Sequence, residues 1–373
     1  MSPLKGKALV TGGAGFIGSH LVDLLLGRGY EVTLLDNLEV ETHPQGKPSW
    51  LPREARLIQG DLRNDADIVR ALEGVRWVFH LAAFGGFTSE TAKYLEVNAG
   101  GTARLFNQIA MGKFSVEKVV VASSQAVYGE GAYRCDRHGA VFPDARSFSD
   151  LQKKRWELSC SQCNGGLKPA LTSEEKPRAG ETPYALSKEF EERLALSLGK
   201  QMKLPVVALR YGVTYGPRQS LFNPYTGVVS IFATQIANRL SPIVYEDGRQ
   251  TRDFVYVQDV AEASLFVMEN PKADFQVFNV GTGKAVAVET LACEVAGALG
   301  QKQGPGIRGE FRWGDVRHLV LNPAKLSQLG FQAQTPLAKG LRSFAEWFRS
   351  QGPVRENFSE AYKRLKRERI IHG

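Results

Sequence analysis

Cysteine is scarce in this chain of 373 residues, four in all, and methionine is equally rare. So few thiols exclude a disulfide scaffold. Three of them, Cys135, Cys160 and Cys163, fall close together and point to one local site. No uninterrupted apolar run approaches the roughly 20 residues that a membrane-crossing helix needs. The opening MSPLKGKALVTGG enters a strand pattern within a few residues, leaving no room for a signal peptide, so a cytoplasmic protein is expected. Internal repeats are absent.

The rest is ordinary for a soluble globular chain, with 43% hydrophobic and 23% charged residues. That suffices for one large α/β unit and a smaller lobe, each with its own core. Part of the net charge of +8 lies in the C-terminal run EAYKRLKRERIIHG, which reads as a solvated helix and tail. A basic surface weakly favours an anionic, phosphorylated ligand; no nucleic-acid or membrane partner is expected.

The first half alternates β-branched runs with helical patterns. Strands are expected at 7–12, 31–37, 55–61, 75–83 and 118–124, with helices after Gly15, Asp65 and Tyr94. A sixth strand at 205–212 follows a helix that starts near Pro183. This order predicts an α/β fold, a Rossmann doubly wound parallel sheet, over residues 1–216. After Gly216, helices at 226–238 and 258–269, strands at 241–248, 254–257 and 275–281, and two later helices predict mainly a smaller C-terminal substrate-binding lobe, 217–353, with a return of strands to the first sheet left open. A basic tail, 354–373, follows. Residues 130–180 interrupt the rhythm, and a loop that long inside a compact domain has a function or an organisation of its own.

Thr11-Gly12-Gly13-Ala14-Gly15-Phe16-Ile17-Gly18 sits directly after the first strand and opens a helix. Gly12 permits the tight turn, Gly15 lets backbone approach a pyrophosphate, and Gly18 allows close helix–strand packing. The pyrophosphate would rest on the helix N-terminus, beside Phe16 and Ile17. Asp36 ends the second strand, where an acid bonds ribose hydroxyls and repels a 2′-phosphate, so NAD is favoured over NADP; its plainer reading is a turn residue before Asn37. Asp61 and Leu62 close the third strand and would flank the adenine.

Tyr184-Ala185-Leu186-Ser187-Lys188 puts a phenol and an ammonium one helical turn apart, on one face. The ammonium favours the phenolate, fitting the phenol for proton transfer. Ser124, ending the fifth strand, can hold the reacting oxygen beside it.

These segments, with HLAA (80–83), Asn98 in NAGGT, SSQAVYG, RYGVTYGPRQ and RDFVYVQDV, resemble the extended short-chain dehydrogenase/reductases over nearly the whole chain. The resemblance implies Tyr184 as acid/base, Lys188 as its activator and ribose anchor, and Ser124 as the substrate hydroxyl partner. It further implies that Leu81, Ala82, Ala83, Asn98 and Tyr211 border the NAD, and it suggests a homodimer through the helix after the fourth strand and the YALSK helix. Gln125 and Ala126 stand where 4,6-dehydratases carry an Asp-Glu pair, which disfavours elimination. A closer resemblance is to the dTDP-L-rhamnose 4-epimerase group, through LDNL, the cysteine insertion, QSLFNPYTGVVSIF, EDGRQTRDFV and GDVRH. Val213 departs from the asparagine common in related epimerases.

The function implied is an NAD-dependent nucleotide-sugar 4-epimerase on a dTDP- or UDP-sugar. Tyr184 takes the C4 hydroxyl proton as hydride leaves; the 4-keto sugar turns on its diphosphate tether and is reduced on the other face. A nucleotide-sugar reductase or dehydrogenase of the same family is the alternative, with a non-catalytic NAD-binding protein behind it. Gln125 should meet the sugar. Arg218, Arg252 and Arg312 are candidates for the diphosphate, each also readable as a surface ion pair. Tyr245 would stack near the base, or serve as a core aromatic.

Cys135-Asp-Arg-His138 and Cys160-Ser-Gln-Cys163 form two knuckles, each turning two ligands inward. Together they suit a tetrahedral Cys3His zinc site, in an inserted zinc-ribbon-like loop. Gly139 and Gly165-Gly166 supply tight backbone. The alternative is loose thiols in a surface loop. With four protein ligands no position stays open for substrate, so the zinc would be structural.

Overall fold

The computed structural model describes residues 5–86, 88, 90–112 and 114–373. Seven strands make the central sheet: β1 (Lys7–Thr11), β2 (Glu31–Asp36), β3 (Arg56–Gln59), β4 (Trp77–His80), β5 (Lys118–Ser124), β6 (Val206–Tyr211) and β7 (Val277–Val280). All pair in parallel, in the order β7-β6-β5-β4-β1-β2-β3. The order reverses between β1 and β4, which opens a crevice at the strands' C-terminal ends.

Alternation within the strands builds two cores. Ala8 and Val10 of β1, Val120 of β5 and Val207 of β6 face α1 (Phe16–Gly27) and α5 (Val257–Glu269). Leu9, Val78, Val119 and Val121 face the other way, against α2 (Asp65–Leu72), α3 (Gly101–Met111) and α4 (Pro183–Met202). A third core, around Phe232, Phe254, Leu291 and Phe344, belongs to the lobe.

Three features differ from the sequence expectation. Strand β7 and helix α5 lie beyond residue 216 yet belong to the central sheet, because Val260, Ala261 and Leu265 bury against α1 and Phe278 enters the same core. The lobe carries three later helices, Val288–Ala298, Ala324–Gln328 and Leu337–Ser350, rather than two. The basic tail is not solvated throughout. Phe358, Ala361, Tyr362 and Leu365 recur at i, i+3, i+4 and i+7, and that stripe buries against Ile243 and Tyr245. Ile371–His372 then pairs with Phe311–Arg312.

The insertion folds as a three-stranded antiparallel sheet, with Ala132–Cys135 between Gly139–Val141 and Lys168–Ala170. Among the described residues, no helix is long and apolar enough to cross a membrane.

Candidate active site

An open cleft of about 810 Å³ lies along the C-terminal ends of the strands. Gly12, Gly15, Phe16, Ile17, Asp36, Asn37, Asp61, Leu62, Leu81, Ala82, Ala83, Tyr184, Lys188 and Tyr211 all line it. The turn after β1 is tight enough to demand glycine. Gly12 adopts φ +69°, and a Cβ on Gly18 would stand 2.1 Å from the Gly12 carbonyl oxygen. Helix α1 starts with no side-chain cap, so its first N–H groups face the cleft uncapped by any side chain. Asp36 accepts from the Ala14 amide at 2.9 Å and from the Leu38 amide at 2.9 Å. It is thus both a turn residue and an acceptor with lone pairs left for a ribose. Asn98 does not line the cleft. It sits behind it, bonding Phe84 through both amide atoms and donating to Ser187 Oγ at 2.9 Å.

Helix α4 begins where its sequence says it should. Thr182 Oγ1 accepts from the Ala185 amide and Pro183 occupies the first turn. Tyr184 then emerges beside Gly85, whose missing Cβ would stand 3.5 Å from Tyr184 Cε2, and edge-on to Tyr94 at 6.2 Å. Ser124 Oγ accepts from the Ala126 amide at 3.1 Å, which leaves its proton to donate. Its neighbour Ser123 lines the cleft but is buried and donates to Glu192 Oε2 at 2.7 Å.

Two buried carboxylates that the sequence analysis passed over support this helix. Glu192 takes a bidentate pair of bonds from Arg210 of β6, at 2.7 and 2.9 Å, and these hold its carboxyl below the usual range although burial pushes it up. Glu191 accepts from Lys188 Nζ at 2.6 Å. Burial pushes its carboxyl up to about 7, with the Lys188 ammonium opposing. The signal available in the sequence was the placement of two acids three and four residues after Lys188, on a face that must be buried.

Of the expected substrate cations, only Arg218 lines the cleft, and it pairs with Asp23 at 2.7 Å. Ser124, Gln125, Tyr245, Arg252 and Arg312 are not among its lining residues. Arg252 and Arg312 converge instead on Asp315, at 2.8 and 2.7 Å, and Arg312 lies over the Tyr245 ring at 4.8 Å. Burial raises the Asp315 carboxyl, but the two guanidiniums overcome this and hold it well below the usual range. This cluster adjoins the start of α4: a Cβ on Gly314 would stand 3.2 Å from Thr182 Cγ2.

A seam of buried charge ties the insertion to the lobe. Arg146 binds both oxygens of Glu246, at 2.8 and 2.9 Å, and donates to the Asp315 carbonyl. Arg317, wholly buried, meets Glu246, Asp247 and Glu157. The Glu157 carboxylate also meets His318 at 3.2 Å.

Within the insertion, His138 Nδ1 lies 3.5 Å from Cys135 Sγ and 3.4 Å from Cys160 Sγ, and Cys135 Sγ lies 3.7 Å from Cys163 Sγ. All four ligand atoms fall within 4.8 Å of one another. Amide bonds from Arg137 and His138 hold the Cys135 thiol down at about 6. The glycines are not where the left-handed turn falls in the second knuckle; Asn164 takes it, at φ +56°. Gly139 takes it after the first, at φ +72°.

A glycine turn feeding an uncapped helix, an acid closing β2 and a Tyr-x-x-x-Lys pair in the same crevice define a dinucleotide-dependent enzyme of the short-chain dehydrogenase/reductase class. The chain belongs to the NAD dependent epimerase/dehydratase family, whose profile matches residues 8–147 and 150–281. It is 32% identical to the dTDP-L-rhamnose 4-epimerase of Burkholderia thailandensis, over 91% of this chain and 94% of that one. Its fold is similar to that of the UDP-glucose 4-epimerase of Thermotoga maritima, solved with UDP-glucose, with a TM-score of 0.75 and 30% identity, covering 92% and 99% of the chains. The UDP-glucose 4-epimerase of Thermus thermophilus, solved with NAD, gives 0.72 at 32% identity, covering 92% and 99%.

Proposed function

We propose that this enzyme is a nucleotide-sugar 4-epimerase that holds NAD throughout its cycle and takes a dTDP-L-rhamnose-like substrate. The observation that carries the reading is the Tyr184–Lys188 pair in the cleft that Gly12, Gly15 and Asp36 also line. The residues fit NAD: the α1 N-terminus suits a pyrophosphate, and the Asp36 carboxylate suits a 2′-hydroxyl and repels a 2′-phosphate. When bound, NAD supplies the acceptor and donor of hydride at sugar C4.

The protein's own part is proton transfer and positioning. Tyr184 takes the C4 hydroxyl proton and returns it, Lys188 favours the phenolate, and Ser124 donates to the C4 oxygen. Gln125 and Ala126 offer no base for C5, which speaks against elimination. Residues 217–353 mainly serve the substrate, with Arg252 and Arg312 of the Asp315 cluster gripping the diphosphate beside Thr182 and Tyr245 near the base. Support comes from the relatives named above, two of which are epimerases solved with UDP-glucose or with NAD.

Zinc fits the insertion. Zn–S and Zn–N bonds of about 2.3 and 2.0 Å give tetrahedral edges of about 3.8 Å (S–S) and 3.5 Å (N–S), close to the three shortest separations, 3.4, 3.5 and 3.7 Å, in a set that spreads to within 4.8 Å. Cys135, His138, Cys160 and Cys163 would hold it, as a brace. One zinc per chain by elemental analysis, lost in Cys160→Ser, is expected; metal-free protein with an intact insertion would contradict it. A homodimer is proposed through the face carrying Leu95, Leu186 and Phe190, each about half exposed, and Leu186→Glu should yield monomers by light scattering.

The test of the activity is a panel of dTDP- and UDP-sugars incubated without added cofactor and read by NMR. Inversion at C4 is expected. Turnover only on addition of NAD(P)H would mark a reductase instead.

A further inference from the structure

Glu191 has no part in the chemistry just described, yet its surroundings single it out. It lies on α4 three residues beyond Lys188, wholly buried, with Oε2 accepting from Lys188 Nζ at 2.6 Å. Its other oxygen, Oε1, has no hydrogen-bond partner and lies 4.0 Å from His80 Nε2. The groups facing it are Lys188 and Glu192 on its own helix and His80 on β4. His80 is held neutral: burial, then the Lys188 charge, lowers it to about 3, and its ring bonds Thr11 Oγ1 and Thr102 Oγ1, both at 2.8 Å. Among the described residues, the full positive charge beside Glu191 is therefore that of Lys188.

A buried carboxylate is costly unless compensated, and this one is compensated only by the ammonium that serves Tyr184. Lys188 has three N–H donors; Glu191 takes one, which leaves two for the cleft that Lys188 lines. An ionised Glu191 also offsets part of the ammonium's field at the phenol, which lies two helical turns away at i−7, about 10 Å along the axis. We propose that Glu191 is a positioning residue that aims Lys188 at the cofactor and moderates the charge that Lys188 presents to Tyr184. The idea rests on Tyr184 being the acid/base but not on which sugar is bound. Its shifted ionisation near neutral pH, caused by burial, means the moderation weakens as pH falls and Glu191 takes a proton.

The test is an ultraviolet titration of phenolate in the NAD-loaded enzyme, with Tyr184→Phe subtracted to isolate this one phenol. Glu191→Gln keeps an acceptor for Lys188 but removes the charge. The pH at which the Tyr184 phenolate forms should then fall by about one unit, the size of a unit charge at about 10 Å with an effective dielectric near 20. Turnover should show its acid limb displaced the same way. Should the amide variant not fold, Glu191→Met, of similar volume, is expected to move the midpoint in the same direction. An unmoved midpoint in the folded variant overturns the proposal. Because no sugar is present, failure of the epimerase reading on the sugar panel leaves this result interpretable, and the reverse also holds.

Discussion

Around the turn after β1, packing leads and one carboxylate, Asp36, ties the turn at the Ala14 amide: Gly18 fits against the Gly12 carbonyl, and Leu21, Val22 and Leu25 of α1 close an apolar core. Around Arg317, by contrast, Glu246, Asp247 and Glu157 converge on one buried guanidinium, while the insertion's own apolar cluster amounts to Tyr133, Leu158, Leu167 and the cysteines. The first region is specified by shape and the second by charge. Shape survives changes of pH and salt. A charge seam depends on every partner staying ionised, and it fails abruptly when one member is removed. The glycine-turn side is thus held mainly by packing, whereas the insertion and lobe are clamped by a network in which Arg146 reaches Glu130, Glu246 and the Asp315 carbonyl.

Breaking the seam should have the larger effect. Arg317→Met leaves three carboxylates facing one another, and a loss of roughly 3–5 kcal/mol is expected, read as a lowered unfolding midpoint and as early proteolytic cutting in residues 142–157. NAD content should stay near wild type; if NAD is lost in parallel, the two regions are not independent. Gly18→Ala strikes the other side. Its Cβ would press on the Gly12 carbonyl, and a cost of about 1–3 kcal/mol is expected, as for overpacking, with NAD released and the insertion still resistant to protease. The smallest effect concerns Glu157. Its hydrogen bond to His318, then those to Arg317, hold its carboxyl down at about 2, against an ordinary value of 4.5. A depressed value means stabilisation that is present above pH 4.5 and lost as pH falls toward 2. The side chain is 59% exposed, so solvent screens the pair. Glu157→Gln should therefore flatten acid unfolding only slightly in that window, and a large change there would contradict the exposure argument.

The contrast also sorts what could be read from sequence. The glycine turn, Asp36, the Tyr184–Lys188 pair and each of the two Cys/His knuckles are local patterns, complete within a few residues, so they are legible in the chain. The partners of Arg252 and Arg312 were hidden, because Asp315 is brought to Arg252 only by folding. Whether β7 stays in the lobe or returns to the first sheet was left open, because adjacency in a parallel sheet is not adjacency in the chain. The charges of the C-terminal run masked its apolar stripe at Phe358, Ala361, Tyr362 and Leu365. Glu191 and Glu192 were passed over, since a carboxylate is assumed exposed until a buried cation is placed beside it.

The central claim is that hydride leaves C4 and comes back to the same carbon within one binding event, with Tyr184 moving the proton. A nucleotide sugar deuterated at C4, incubated with the purified enzyme and no added cofactor, tests it most directly. The account predicts product inverted at C4 with deuterium still on that carbon, and none of it formed by Tyr184→Phe. Deuterium washed out of the inverted product, or undiminished inversion by the phenylalanine variant, would contradict it.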